Sequence, residues 1–230
     1  YTIKHSVYLY GKQRMCNNDR PKYNMYCFKI LITLIIESQQ RLNGSMDVNV
    51  NGWFSNFPRL KYFWAQNNQI NGLWPNFDAI SSSYLPNLTE FRVHNNHFSG
   101  SLALSTGLSL SPLLKRFHIY GNDFGGKVDW IMLQNLNNLE SLRLASNEFT
   151  GPVNWDILPT SLKRLHLGSN NFTGTLNWDK IRTFSELEYL SLYRNDFNGT
   201  IDTSALPVSL EFIRLDQNKF HGTIDLDVLA

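Results

Sequence analysis

Charge is scarce in this chain. Only 17% of its 230 residues are Asp, Glu, Lys or Arg, below the roughly 25% of an average domain. The formal net charge of +2 excludes attachment to nucleic acid or membrane through whole-molecule electrostatics, so any basic patch has to be local. Cysteine is scarcer still. Cys16 and Cys27 allow one intramolecular bridge and offer no CxxC spacing for a metal or a redox centre. The longest apolar run, Cys27 to Ile36, is interrupted by Lys29 and is far shorter than the roughly 20 residues of a membrane helix. It reads as a buried strand, and no membrane contact is expected within the chain. No charged-then-apolar leader opens it and no Met precedes Tyr1, so a signal peptide is expected to be absent or removed and the chain to be a mature form or a fragment. A hydrophobic content of 42% excludes disorder for the bulk, and with 26 asparagines the polar surface must be mostly amide and hydroxyl.

What the chain has instead is a repeat. The unit LxxLxLxxNxFxGxI returns seven times between Leu60 and Ile224, the signature of a solenoid. Its clearest copies run Leu162, Leu165, Leu167, Asn170, Phe172, Gly174, Leu176; Leu187, Leu190, Leu192, Asn195, Phe197, Gly199, Ile201; and Leu210, Ile213, Leu215, Asn218, Phe220, Gly222, Ile224. Successive asparagines are 28, 26, 25, 23, 25 and 23 residues apart.

Each position has a physical reason. The LxL alternation points both leucines inward and the residues between them to solvent, as one short parallel strand per coil requires. The asparagine turns the chain out of that strand, where its amide can bond backbone groups left unpaired by the turn. Phe98, Phe124, Phe149, Phe172, Phe197 and Phe220 occupy one equivalent position and should stack into an aromatic spine. After the glycine, alternation at Val153, Trp155, Ile157 and more loosely at Leu176, Trp178, Ile181 predicts a second short strand returning on the convex side. Proline in Leu158 to Leu162 and Leu206 to Leu210 forbids a helix in the shorter units, whereas Asp179 to Glu186 has room for about one or two helical turns.

This motif and period resemble the leucine-rich repeat family, specifically the extracellular plant and protist subclass with FxGxI after the asparagine, over about 165 of the 230 residues. The resemblance implies an α/β solenoid, mostly β and irregular: a right-handed stack with a concave parallel sheet and short convex strands or helical turns. Residues 1–46 read as an amino-terminal cap with a degenerate first repeat, in which Leu31, Leu34, Ile36, Leu42, Gly44 and Met46 imitate a coil with one residue inserted. Residues 47–230 read as about seven coils, without a carboxy-terminal cap, so the native chain is expected to continue or be covered by another molecule. By resemblance to the extracellular members, Cys16 and Cys27 are expected to form a cap disulfide, the alternative being two buried thiols.

No catalytic set is legible. His94 and His97 are three apart but sit on a tight turn without further metal ligands, Gly121 to Gly126 lacks the context of a phosphate loop, and Trp155 and Trp178 are expected to fill core space rather than bind sugar. Neither a metal nor a cofactor is implied. Sequons occur at Asn43, Asn87, Asn171 and Asn198, about the number that this composition produces by chance, and glycans are sterically expected at Asn171 and Asn198.

The informative surface is the concave sheet, whose outward positions follow from the register. Its middle column reads Trp64, Arg92, His118, Arg143, His166, Ser191, Arg214; on one side stand Tyr62, Glu90, Arg116, Ser141, Arg164, Tyr189, Phe212, and on the other Gln66, His94, Tyr120, Ala145, Gly168, Tyr193, Asp216. Over all outward positions nine Lys or Arg stand against five acids, so the face alone carries 9 − 5 = +4. Like charges about 4.8 Å apart repel and serve no purpose in folding, while Arg mixed with Tyr and Trp is the composition of an interface. The expected ligand contacts are Tyr62, Trp64, Arg92, Arg116, His118, Tyr120, Arg143, Arg164, His166, Tyr189, Tyr193 and Arg214. Polar strands with compensating diagonal pairs, such as Glu188 with Arg214, are the competing explanation. The expectation is a non-enzymatic, extracellular or cell-surface recognition domain for a protein or peptide ligand, with an acidic glycan as the alternative ligand. A matrix or filament subunit that self-associates end to end and an intracellular scaffold are its rivals. Protonation of His118 and His166 below about pH 6.5 should tighten an anionic ligand.

Overall fold

The computed structural model describes strands 7–10, 33–36 and 43–45 and residues 57–73, 80–104 and 109–225. Cys16 and Cys27, and with them the expected disulfide and most of the expected cap, lie outside the described residues. Two parallel sheets run the length of a stack of coils. Strands are numbered in chain order. The concave sheet contains β2 (Thr33–Ile36), β4 (Tyr62–Trp64), β6 (Glu90–Arg92), β8 (Arg116–His118), β10 (Ser141–Arg143), β12 (Arg164–His166), β14 (Tyr189–Ser191) and β16 (Phe212–Arg214), with β1 (Val7–Tyr10) antiparallel to β2 at its edge. The second sheet contains β3 (Asn43–Ser45), β5 (Gln69–Leu73), β7 (His97–Gly100), β9 (Asp123–Lys127), β11 (Glu148–Pro152), β13 (Asn171–Thr175), β15 (Asp196–Gly199) and β17 (Lys219–Phe220). The degenerate early segment supplies β2 and β3, which pair parallel with β4 and β5.

Between the sheets lies one continuous apolar core. Leu142, Leu144, Leu165, Leu167, Leu190 and Leu192 are buried without exposure. The spine expected at the second sheet is present: Phe98, Phe124, Phe149, Phe172 and Phe197 stack at centroid separations of 6.5, 6.3, 6.1 and 6.3 Å. A second aromatic column stands in the amino-terminal half, where Phe63, Phe91 and Phe117 occupy the mid-strand position and stack at 5.3 and 5.6 Å. In later coils Leu142, Leu165, Leu190 and Ile213 replace them.

The asparagines are the polar counterpart of the spine. Asn170 donates through Nδ2 to the carbonyls of Leu144, Leu167 and Gly168 at 3.1, 3.0 and 3.4 Å, and its Oδ1 accepts from the N–H of Phe149 at 3.0 Å. Asn122, Asn147 and Asn195 repeat this arrangement. Each amide thus bonds backbone of its own coil and of the preceding one, including groups that the turn would otherwise leave unpaired. The turn has a cost in backbone conformation: the residue directly before each ladder asparagine has positive φ, at Asn67, Asn95, Gly121, Ser146, Ser169, Arg194 and Gln217 (φ 52–63°). Side chains as large as Arg194 hold this left-handed conformation because the bonds on either side over-determine it.

The second strand differs from the expectation. It spans the Phe-x-Gly segment itself, and the residues after it form helical turns: 3-10 at Trp130–Leu133, Trp155–Ile157 and Thr203–Ala205, and a single α-helical turn, α1, at Trp178–Ile181. Local capping overrides the apparent alternation. Asp129 Oδ1 accepts from Ile131 N–H at 3.2 Å, Asn177 Oδ1 from Lys180 N–H at 3.1 Å and Asp202 Oδ1 from Ser204 N–H at 3.0 Å, satisfying amides at the start of three of the four turns; Asn154 makes no such bond before Trp155–Ile157. The tryptophans follow a ladder of their own. Nε1 of Trp130, Trp155 and Trp178 donates to the carbonyls of Pro152, Thr175 and Thr200, one coil further on, at 3.0, 3.1 and 2.9 Å. Trp155 therefore fills core space as expected, and Trp178 is partly buried against the core.

Candidate functional site

The concave sheet brings its three expected columns together in register. Trp64, Arg92, His118, Arg143, His166, Ser191 and Arg214 are successive Cα partners, as are Tyr62, Glu90, Arg116, Ser141, Arg164, Tyr189 and Phe212. Parallel strands of equal length, each fixed at its end by a ladder asparagine, leave no freedom for slippage.

Most charges on this face are already matched. Glu90, 7% exposed, accepts from Trp64 Nε1 at 3.2 Å, pairs with Arg92 at 2.7 Å and also receives the Arg116 guanidinium. A buried carboxylate is tolerated only with such partners. Glu140 faces Lys115 at 3.4 Å and Arg116 at 3.8 Å. Glu188 pairs with Arg164 at 2.9 Å, not with Arg214 as expected. Arg164 and Tyr189 are Cα partners, which sets Glu188 diagonally beside Arg164. Arg214 instead binds Asp216 at 2.8 Å and lies 3.9 Å over the Tyr193 ring.

Arg143 is the exception. Of the six arginines at outward positions it has neither an acidic nor an amide partner among the described residues, whereas Arg194 at least donates to Gln217 at 2.8 Å. His118 and His166 are its partners on the two neighbouring strands, and aromatic rings lie against the imidazoles of this face. His94 stacks on Tyr120 at 4.3 Å, His166 lies 6.0 Å from Tyr193, and His118 Nε2 is 2.9 Å from Ser141 Oγ. The Tyr193 ring in turn occupies the space over Gly168, where an added Cβ would meet Tyr193 Cδ1 at 2.3 Å.

These histidines do not behave as solvated imidazoles. Burial, followed by the guanidiniums of Arg143 and Arg92, lowers His118 to about 3. Burial with Arg92 and Arg143 lowers His94 to about 4, and burial with Arg143 and Arg214 lowers His166 to about 4. The expectation of titration near pH 6.5 is therefore corrected: in the ligand-free protein all three rings remain neutral until the pH approaches 4, because protonation would place a further charge beside arginines in a dry layer. Dryness has another consequence. Arg92 Nε, His94 Nδ1, His166 Nε2 and Ser191 Oγ are buried on this face with no hydrogen-bond partner.

Other expected sites disperse. His94 faces the concave side while His97 is exposed on the second sheet, 3.7 Å from Asp123, and among the described residues no group of three or more His, Cys, Asp or Glu could hold a metal. Asn171 and Asn198 are exposed. The Asn87 amide already donates to the Pro58 carbonyl at 2.8 Å, so a glycan there would have to take its other N–H position. The side chain of Asn43 lies outside the described residues. Sequence reasoning missed the clamping role of Glu90, which it counted only as an acid, and the open groups at His166 and Ser191; their only signal was adjacency in the middle column.

No family model matches the chain. Over 102 residues it is 30% identical to the receptor-like protein EIX2 of Solanum lycopersicum, a match that spans 44% of this chain and 9% of that protein. Among solved structures it is similar to the plant peptide hormone receptor RGFR1 in complex with RGF2, at 24% identity and a TM-score of 0.68, over 86% of this chain and 30% of that one. It is also similar to the LRR ectodomain of the Arabidopsis receptor kinase HAESA in complex with an IDA peptide hormone ligand, at 23% identity and a TM-score of 0.66, over 80% and 29%. The chain thus spans less than a third of the length of each. These likenesses define its class: it folds as a leucine-rich-repeat protein. No helix among the described residues is long and apolar enough to cross a membrane.

Proposed function

We propose that the chain is a non-enzymatic recognition domain of a secreted or cell-surface protein, of the repeat subclass with FxGxI after the asparagine, and that it binds a protein or peptide ligand lengthwise along the concave sheet. The observation that carries this reading is the concave face itself: the unpaired Arg143 at its centre, beside buried donors and acceptors left open at His94, His166 and Ser191. Unmet buried polar groups cost stability, so folding alone gives no reason to keep them. The likeness to plant receptor ectodomains whose structures contain peptide hormones favours a peptide ligand over an acidic glycan.

Selection from a random peptide display library against the immobilised chain tests it. Binders should be lost when Arg143 and Arg164 are both changed to Glu, with cooperative unfolding retained and stability lowered by about 1 to 2 kcal/mol, since Arg143 is half-buried and Arg164 gives up its pair with Glu188. Binders that ignore the double variant would place recognition elsewhere.

A further inference from the structure

A ligand that reaches the centre of this face meets a particular chemistry. Arg143, His166 and Ser191 are consecutive partners on β10, β12 and β14, so their side chains stand in line about 5 Å apart. Among the described residues the guanidinium has no counter-ion, while His166 Nε2 and Ser191 Oγ are buried without a hydrogen-bond partner, so a ligand reaches them by displacing the side chains that cover them. One coil before Arg143, on β8, stands His118, and beyond it His94. We propose that this row is a built oxyanion site: a compact anionic group of a ligand pairs with Arg143 and accepts from His166 and Ser191, and its binding draws protons onto the flanking imidazoles. This deepens the recognition reading above and rests on it.

The charges around the row leave the task to a ligand. Facing His118 are Arg92 and Glu90 from β6, Arg116 on its own strand and Arg143 from β10. Of these the lone acid, Glu90, is already shared by Arg92 and Arg116. Facing His166 are Arg143 from β10, Arg164 on its own strand and Tyr189 from β14, with Tyr193 and Arg214 nearby. The neighbouring acids Glu188 and Asp216 are held by Arg164 and Arg214. His94 has Arg92 beside it and the Tyr120 ring stacked on it. Glu140 is held by Lys115 and Arg116, so among the described residues no acid beside the row is free to neutralise Arg143, and an oxyanion that did so would remove a charge that opposes protonation at all three rings. By reciprocity, protons taken up by the rings tighten the anion. A neutral imidazole and a hydroxyl can both donate to it at higher pH, so binding does not require the proton.

The chain labelled with 13C-histidine and titrated with sodium sulfate at fixed ionic strength tests this, because sulfate keeps its charge over the whole range. NMR of the imidazole carbons from pH 7.5 to 4.5 should show His94, His118 and His166 titrating at higher pH in sulfate than in chloride. The effect should saturate, and sulfate should bind roughly tenfold tighter at pH 5 than at pH 7. It should vanish in Arg143→Gln, whose integrity is checked by an unchanged signal from the exposed His97. Rings that titrate identically with and without sulfate, or an effect that never saturates, overturn the proposal from wild-type data alone. Library peptides that still depend on Arg143 and Arg164 in a chain whose rings ignore sulfate would sink this inference and leave the recognition face standing.

Discussion

The asparagine ladder and the concave row are both lines of polar groups running through a dry layer, one coil after another, yet they are completed differently. Asn122, Asn147, Asn170 and Asn195 use their amides fully, donating to carbonyls of two coils and accepting one backbone N–H. The concave row, a strand's length away, leaves Arg143 without a counter-ion among the described residues and buries His166 Nε2 and Ser191 Oγ unpaired. The fold requires the first line and receives nothing obvious from the second. Polar groups that a structure needs are satisfied within it; buried groups left open without such a need are the ones a partner can complete.

Breaking the first line should therefore be costly. Asn170→Ala orphans the N–H of Phe149 and takes one of two donors from the carbonyls of Leu144 and Leu167, which keep Asn147 and Asn195; at about 1 to 3 kcal/mol for the orphaned group and about 1 kcal/mol for each lost bond, denaturant unfolding should lose roughly 2 to 5 kcal/mol. A loss under 1 kcal/mol would mean that water replaces the amide. Phe172→Ala, which removes a fully buried ring from the spine, should cost about 3 to 5 kcal/mol, with early melting confined to adjacent coils as expected of a one-dimensional array. Uniform loss of protection in hydrogen exchange would contradict that confinement.

Acid sharpens the comparison. His94, His118 and His166 have folded pKa values near 4, 3 and 4, below the unfolded value near 6.5. Above that value their contribution is fully present. As pH falls through 6.5 toward 4 the unfolded chain takes up protons that the folded one refuses, and stability declines, by about 1 to 3 kcal/mol once partial solvent access is allowed for. Changing all three to Gln should flatten the slope between pH 6.5 and 5; an unaltered slope would assign it to other groups. A smaller effect is expected at Gly168, where alanine must displace the Tyr193 ring. The strain should cost roughly 1 to 2 kcal/mol and separate that ring from Arg214, visible as loss of its ring-current shift on the Arg214 side chain.

Much of this architecture was legible in the residues, for a definite reason. A 23- to 28-residue period places each Leu, Asn and Phe in the same environment many times over, so the spine at Phe149, Phe172 and Phe197 and the outward columns through Arg92, Arg143 and Arg214 follow from register alone. What escaped was set by choices within the register. Alternation at Trp155 and Trp178 suggested strands; before Trp178 a single Asx cap at Asn177 starts a helical turn, while the turn at Trp155–Ile157 forms without one. Which acid takes which arginine is a matter of rotamers: Glu188 reaches Arg164, and Arg214 turns to Asp216 and Tyr193. The neutrality of His118 depends on burial and on arginines one coil away on each side, a property of the assembled face that no single repeat displays.

The most direct test of whether the concave row is surplus to the fold is the unfolding free energy of Arg143→Gln, measured in denaturant at pH 7. If the row is held open for a partner, relieving the uncompensated guanidinium leaves stability within about 0.5 kcal/mol of the parent or raises it. A loss comparable to that of Asn170→Ala would show that Arg143 belongs to the framework and that the contrast between the two lines is false.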